Sequence, residues 1–285
     1  MNGIIDVGSN SVRLAVFDGD KEIYSDLSTT RLGTGLVKTE NMRDEDIANT
    51  VFAISRFVKE CEKCGASVDV FGTAACRQAK NASVFLDKVK KEVGVDVEVL
   101  SGEEEARIAF VGGSVVAKSF PCVVLDIGGA SSEIALGTEK NILLSKSYPV
   151  GVVKAYSKCG EDKEANLSYI KSVFAPLLPI SANSFVAIGG TATSIASILS
   201  GEKEYKKSVT HGFLIKTSEL KALTDKLFEI GLSGRKEISS IDEKRAEIIA
   251  SGAAILTVLA EKLGAEEIIA SESDNLYGYL KVFVK

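Results

Sequence analysis

At 285 residues, 45% apolar and 26% charged, the chain has the composition of a soluble globular protein able to bury one large core or two ordinary ones. A formal net charge of −5 argues against a generic nucleic-acid surface, although a local patch of Arg and Lys can oppose the global sign and hold a polyanion. No stretch approaches the roughly 18 consecutive apolar residues that span a bilayer, and the N-terminus enters a strand with no basic segment or cleavage site. A cytoplasmic location, with neither nucleic acid nor membrane as partner, is therefore expected.

Residues 3–7, 11–18 and 21–27 read as three successive strands, punctuated by Gly8-Ser-Asn10 and Asp18-Gly-Asp20 as turns. Arg31-Leu-Gly-Thr-Gly-Leu36 follows as a glycine-bearing loop, either a simple turn or a phosphate contact. Apolar residues at helical spacing predict a helix over 44–64. Within it Cys61 and Cys64 form a lone C-x-x-C with no second ligand pair, and the five cysteines make no paired framework.

A strand over 68–71 leads into Gly72-Thr-Ala-Ala-Cys-Arg-Gln-Ala-Lys-Asn81. Arg77 there is either a bidentate phosphate clamp or a solvated arginine at a helix start. A helix over 83–93 and a strand over 95–100 precede Ser101-Gly-Glu-Glu-Glu-Ala-Arg107. Ser101 followed by glutamates resembles a capping box, which explains one or two of the three carboxylates. The remaining one is either solvated or held for chemistry.

The stretch Val123-Val-Leu-Asp-Ile-Gly-Gly-Ala-Ser-Ser-Glu133 organises the chain. Its β-branched run predicts a buried strand, and Gly128 and Gly129 allow backbone N–H groups to approach an anion. Ser131 adds a hydroxyl, while Asp126 and Glu133 supply hard oxygens suited to Mg²⁺. Strands over 132–136 and 141–148 complete a layout that repeats residues 3–27, with Asp6, Gly8, Ser9, Asn10 and Ser11 in the matching places. The sequence therefore reads as two related halves facing one ligand, divided near residue 119.

Beyond a helix over 163–177, Phe185-Val-Ala-Ile-Gly-Gly-Thr-Ala-Thr193 is a third glycine signal. Gly189, Gly190 and Thr191 open a helix whose free N–H groups hold phosphate, or else the glycines permit close strand–helix packing. His211, the only histidine, excludes a His-rich metal site; it lies near a strand reaching Ile215. Helices over 218–231 and 242–263, a strand over 267–270 and a helix over 276–284 close the chain.

Taken together these loops resemble the actin, sugar-kinase and heat-shock ATPase fold. More narrowly, the chain resembles the exopolyphosphatase and guanosine pentaphosphate phosphohydrolase (Ppx/GppA) family. The matching segments are Ile5-Asp-Val-Gly-Ser-Asn-Ser-Val-Arg-Leu14, Thr73–Asn81, Ser101–Arg107, Asp126–Glu133, Gly189-Gly-Thr191, His211-Gly212 and Arg245-Ala-Glu-Ile248. The resemblance implies a duplicated α/β, ribonuclease H-like fold with subdomains at 1–119 and 120–285 around a central cleft, the last helix being a candidate to pack back on the first. It implies hydrolysis of a terminal phosphoanhydride of inorganic polyphosphate, or alternatively of guanosine pentaphosphate, and often a homodimer. A non-catalytic polyphosphate or nucleotide sensor and a kinase are the competing readings.

By the same resemblance Glu105 activates water, its pKa raised by burial and by its neighbours Glu103 and Glu104, and Arg77 contacts phosphate. Asp126, Glu133 and Asp6 lie by a divalent cation, Mg²⁺. Gly8, Ser9, Asn10, Ser11, Gly128, Gly129, Ser131, Gly189, Gly190 and Thr191 cradle phosphate. Two departures stand out: Ala130 replaces a third glycine, and Asp274-Asn-Leu-Tyr-Gly278 lacks the Arg-Glu pair usual in that run. The additional helical domains of longer members are absent, so a preference for long polyphosphate is not expected.

Overall fold

The computed structural model describes residues 1–284. Strands β1 (Asn2–Val7), β2 (Ser11–Asp18), β3 (Lys21–Thr29), β4 (Ser67–Gly72) and β5 (Glu98–Val99) form one sheet in the order β3-β2-β1-β4-β5. Strands β6 (Cys122–Ile127), β7 (Ser132–Gly137), β8 (Ile142–Tyr148), β9 (Ser184–Ile188), β10 (Leu214–Lys216) and β11 (Glu267–Ser271) form the other, ordered β10-β11-β9-β6-β7-β8.

The duplication is visible in the registers. β1 pairs antiparallel with β2 and parallel with β4, as β6 does with β7 and β9. Asp6 and Asp126 hold the same penultimate place, facing Arg13 and Glu133 respectively across their hairpins. Both central strands are apolar runs covered on both faces, which is why they show no polar alternation.

The helix Asp44–Lys63 covers one face of the first sheet with Ile47, Val51, Ile54 and Phe57. Cys61 is buried in that layer, unpaired, as a packing residue. The closing helix Asn275–Phe283 packs on the opposite face of the same sheet, where Tyr279 stacks on Phe71 at 4.6 Å. Between the two sheets runs the helix Gly102–Gly113: Ile108 joins the first sheet's core, while Ala106, Ala109 and Phe110 pack on β6 and β9. It crosses the closing helix closely, because a Cβ at Gly112 would overlap the Asp274 carbonyl and one at Gly278 the Ile108 carbonyl. The outer face of the second sheet carries the largest core, with Ile249–Leu263 at its centre.

Three expectations are corrected. The strand over 95–100 shrinks to Glu98–Val99, an exposed edge that pairs only at Phe71 and Gly72. The helix over 163–177 stops at Val173, before Pro176. The single helix over 242–263 is two pieces, Glu243–Ala246 and Ile249–Leu263, separated by a turn at 247–248. Among the described residues no helix is long and apolar enough to cross a membrane.

Candidate active site

The duplicated hairpins end in the same turn. Gly8 donates its N–H to the Ser11 carbonyl at 3.1 Å, and Gly128 to the Ser131 carbonyl at 3.0 Å. The turn carbonyls are engaged from behind: Ser9 O by Gly33, Asn10 O by Thr30 and Arg31, Gly128 O by Val152, and Gly129 O by Val153 and Lys154. Among the described residues, the N–H groups of Ser9, Asn10, Gly129, Ala130 and Ser131 meet no backbone acceptor. All five residues line one cavity between the sheets. Consecutive unbonded amides of this kind form an anion-binding concavity. The two turns also touch, since a Cβ on Gly129 would lie 2.8 Å from Ser9 Cβ. Ala130 lines the cavity, and among the described residues its N–H meets no backbone acceptor. The Arg31–Leu36 loop thus braces the first turn through its amides, and Arg31 itself pairs with Glu247 at 3.0 Å.

The three adjacent glutamates have separate fates. Glu104 closes the capping box, its Oε2 accepting from Ser101 N–H at 2.8 Å. Glu103 is exposed, and Glu105 is only 4% exposed at the cavity wall. Burial raises the Glu105 carboxyl to about 7; Arg77 opposes this, while Asp126 and Asp6 reinforce it. The acidic neighbours that matter are therefore these two aspartates from the hairpins, not Glu103 and Glu104. Burial likewise lifts Asp126 to about 7 against the pull of Arg13 and a 2.6 Å bond from Asn275 Nδ2. Asp6 is raised by burial, with Arg13 opposing.

Arg77 does not line the cavity. Its Nη1 sits 2.6 Å from Glu105 Oε2 and donates to the Leu100 carbonyl at 2.7 Å. The ion pair lacks hydrogen-bond geometry, so Glu105 Oε2 remains buried without a directed donor. The guanidiniums that do line the cavity are Arg13 and Arg245. Arg13 is held by Asp6, at 2.5 Å from Nη2, and by Asp274 through Nη1. Arg245 lies against Gly190, where any Cβ would overlap its guanidinium.

Glu133 is fully buried behind the second turn, outside the cavity lining, with Ser147 Oγ donating to Oε1 at 2.6 Å. Burial, then Glu105 and Asp126, raise its pKa strongly. Gly189, Gly190 and Thr191 line the cavity, but the Thr191 hydroxyl donates to the Ile127 carbonyl at 3.2 Å and so braces the strand–helix junction. Ser11 accepts from Asn10 Nδ2 at 3.1 Å.

Among the described residues no three carboxylate, cysteine or histidine side chains converge as a ready-made metal site. The buried orphan oxygens Asp6 Oδ1 and Asn275 Oδ1, beside Asp126, nonetheless fit a cation that arrives with phosphate and water. Mg²⁺ commonly takes only one or two carboxylates and completes its shell that way. Among the polar residues that line the cavity, sequence reasoning left Arg13, Thr73, Arg245 and Asn275 unassigned. Arg13 and Arg245 stood inside matching segments. Asn275 gave no signal, since its partner Asp126 lies 149 residues away.

A family model described as "Ppx/GppA phosphatase family" matches residues 18–274. The bifunctional 3-dehydroquinate synthase/phosphatase of Fusobacterium nucleatum is 29% identical over 96% of this chain and 45% of its own length. Exopolyphosphatase 2 of Mycobacterium tuberculosis is 27% identical over 96% of this chain and 95% of its own. Guanosine-5'-triphosphate,3'-diphosphate pyrophosphatase of Vibrio atlanticus is 27% identical over 91% of this chain and 54% of its own. The chain thus spans about half the length of the first and third. Among solved structures, the Aquifex aeolicus Ppx/GppA family member has a TM-score of 0.80 at 27% identity, covering 98% of this chain and 95% of that one.

Proposed function

The chain belongs to the Ppx/GppA phosphatase family, and we propose that it releases orthophosphate by hydrolysing a terminal phosphoanhydride of inorganic polyphosphate, with Glu105 activating the water. The observation that carries this reading is one buried carboxylate, ion-paired with Arg77 and raised to about 7, in the wall of the cavity that the unbonded amides of two hairpin turns also line. A base poised near neutrality takes a proton most effectively at neutral pH.

The turn amides and the guanidiniums of Arg13 and Arg245 would bind the non-bridging oxygens of the last phosphates, spreading charge that grows on the bridging oxygen as it leaves. Glu105 would orient the attacking water and accept its proton, with Arg77 fixing the carboxylate's position. Asp126 and Asp6 would hold the divalent cation, which we take to be Mg²⁺, with Glu133 behind them. When bound, that cation supplies charge neutralisation of the phosphates. We assign residues 1–119 and 120–285 to two subdomains meeting at this cleft, and propose a homodimer from the family resemblance.

A second cavity of about 700 Å³ adjoins the first through Arg13, Gly189, Gly190 and Arg245. Its walls carry Glu22, Asp26, Asp242, Glu272 and Asp274 against Lys207 and the two arginines. Carboxylates repel a long polyanion along this wall. That favours short polyphosphate over long; guanosine pentaphosphate, the alternative substrate, carries a 3'-diphosphate beyond its nucleoside and meets the same repulsion. Phosphate release from tripolyphosphate, long polyphosphate and guanosine pentaphosphate at millimolar Mg²⁺ tests this directly. Binding without release by the unsubstituted protein would replace the hydrolase with a sensor.

A further inference from the structure

Among the described residues Arg235 is the bulkiest fully buried side chain, and it lines neither cavity. Its Nε donates to the Ala246 carbonyl at 2.6 Å, and Nη1 to the Leu227 carbonyl at 2.9 Å. Nη1 and Nη2 also clasp Glu161 at 2.9 and 2.7 Å. Arg235 is fully buried while Glu161 lies at the surface, and a guanidinium taken out of water is costly, so its purpose must be sought in what it holds in place.

The group held is the residue after Arg245. In an uninterrupted helix the Ala246 carbonyl would accept from the N–H of Ala250. Here the helix breaks at 247–248, and that carbonyl accepts from Arg235 instead. The break separates Glu243–Ala246 from Ile249–Leu263 and brings Arg245 over Gly190, with Ile248 and Ile249 also at the cavity wall. Arg245 makes no salt bridge among the described residues; Asp242 and Glu272 are acidic neighbours beyond pairing distance, and Arg13 is a like-charged one. Its guanidinium is thus displayed for an anion, and its aim is set by the turn that follows it.

We infer that Arg235 is a positioning residue: by capturing the Ala246 carbonyl it fixes the helix break that presents Arg245 to substrate phosphate. This rests on the reading of the cavity as a phosphate site. Replacing the guanidinium would let the segment relax toward continuous helix and swing Arg245 away, without touching a residue that meets substrate.

Calorimetric binding of tripolyphosphate with Mg²⁺ to the full chain separates the possibilities, because Kd is independent of the fraction of protein that is folded. Arg245→Ala should weaken Kd about tenfold, the equivalent of one charged contact. Arg235→Met should weaken it by a similar factor, and the double variant should be no worse than Arg245→Ala within about twofold, since both changes remove one contact. An Arg235→Met protein that binds within about twofold of the unsubstituted chain, or losses that multiply in the double variant, overturn the inference while leaving the phosphate site intact. If Arg245→Ala binds normally, or the unsubstituted chain binds no tripolyphosphate, the reading of the cavity falls and the inference with it. Should Arg235→Met fail to fold, Glu161→Gln keeps the guanidinium but loosens its clasp. A several-fold weaker Kd in that variant supports the inference, and an unchanged one rejects it.

Discussion

Arg77 and Glu105 are joined as an ion pair at 2.6 Å, with the arginine anchored from behind on the Leu100 carbonyl. The cation holds down a carboxyl that burial pushes up to about 7. A base must be ionised to act, so kcat/KM should rise with pH through about 7. Arg77→Met removes the opposing charge and should move that limb to higher pH. Glu105→Gln should lose about 100-fold or more in turnover, the scale of general-base catalysis, while still binding tripolyphosphate. Near-normal turnover in Glu105→Gln would reject the assignment.

Stability should fall as pH rises toward neutrality when no divalent cation is present. Asp126 is raised from 3.8 to about 7 in the folded chain, so the native state holds a proton that the unfolded chain has released. The associated stability is full below about pH 4 and lost as pH climbs through about 7. For one such group this is on the order of 4 kcal/mol. Thermal unfolding at pH 5 and pH 8 should show a smaller pH-dependent loss in Asp126→Asn than in the unsubstituted protein. Parallel curves for the two would count against the buried-proton account.

Gly129→Ala should disable the site from the backbone side. The new methyl would stand 2.8 Å from Ser9 Cβ and 3.1 Å from Asn10 N, forcing the two turns apart. Overpacking of this kind costs about 1–3 kcal/mol, seen as a lower Tm. Tripolyphosphate affinity should drop about tenfold or more, because amides from both turns converge on one anion. Unaltered affinity would show that the turns act separately.

Asn275→Leu replaces the amide beside Asp126 with an apolar side chain of similar size. It deletes the 2.6 Å bond to Asp126 Oδ2, which favours the ionised carboxylate. The Mg²⁺ concentration for half-maximal phosphate release should rise severalfold, most clearly below neutral pH. A magnesium dependence identical to that of the unsubstituted protein would show that Asn275 only fills space.

The sequence by itself determined the two hairpins and their turns. These are local features: a buried parallel strand needs an apolar run, and a glycine directly after it marks the tight turn. Motif order along the chain then pointed to the family, which the match over residues 18–274 bears out. The chemistry of individual side chains was another matter. The capping box with Ser101 claims Glu104 locally, but Glu103 and Glu105 look alike in sequence, and only the packing of their helix between two sheets leaves one exposed and buries the other. Arg77, read as a phosphate clamp, turned to a carboxylate one strand away, while Arg13 and Arg245 took the cavity wall. Arg13 meets Asp274 across 261 residues, and the helix break that aims Arg245 depends on a guanidinium from another helix. Periodicity reports which face of an element is apolar, but not what charge the rest of the fold brings against it; burial and pairing are set only when distant segments close on one another.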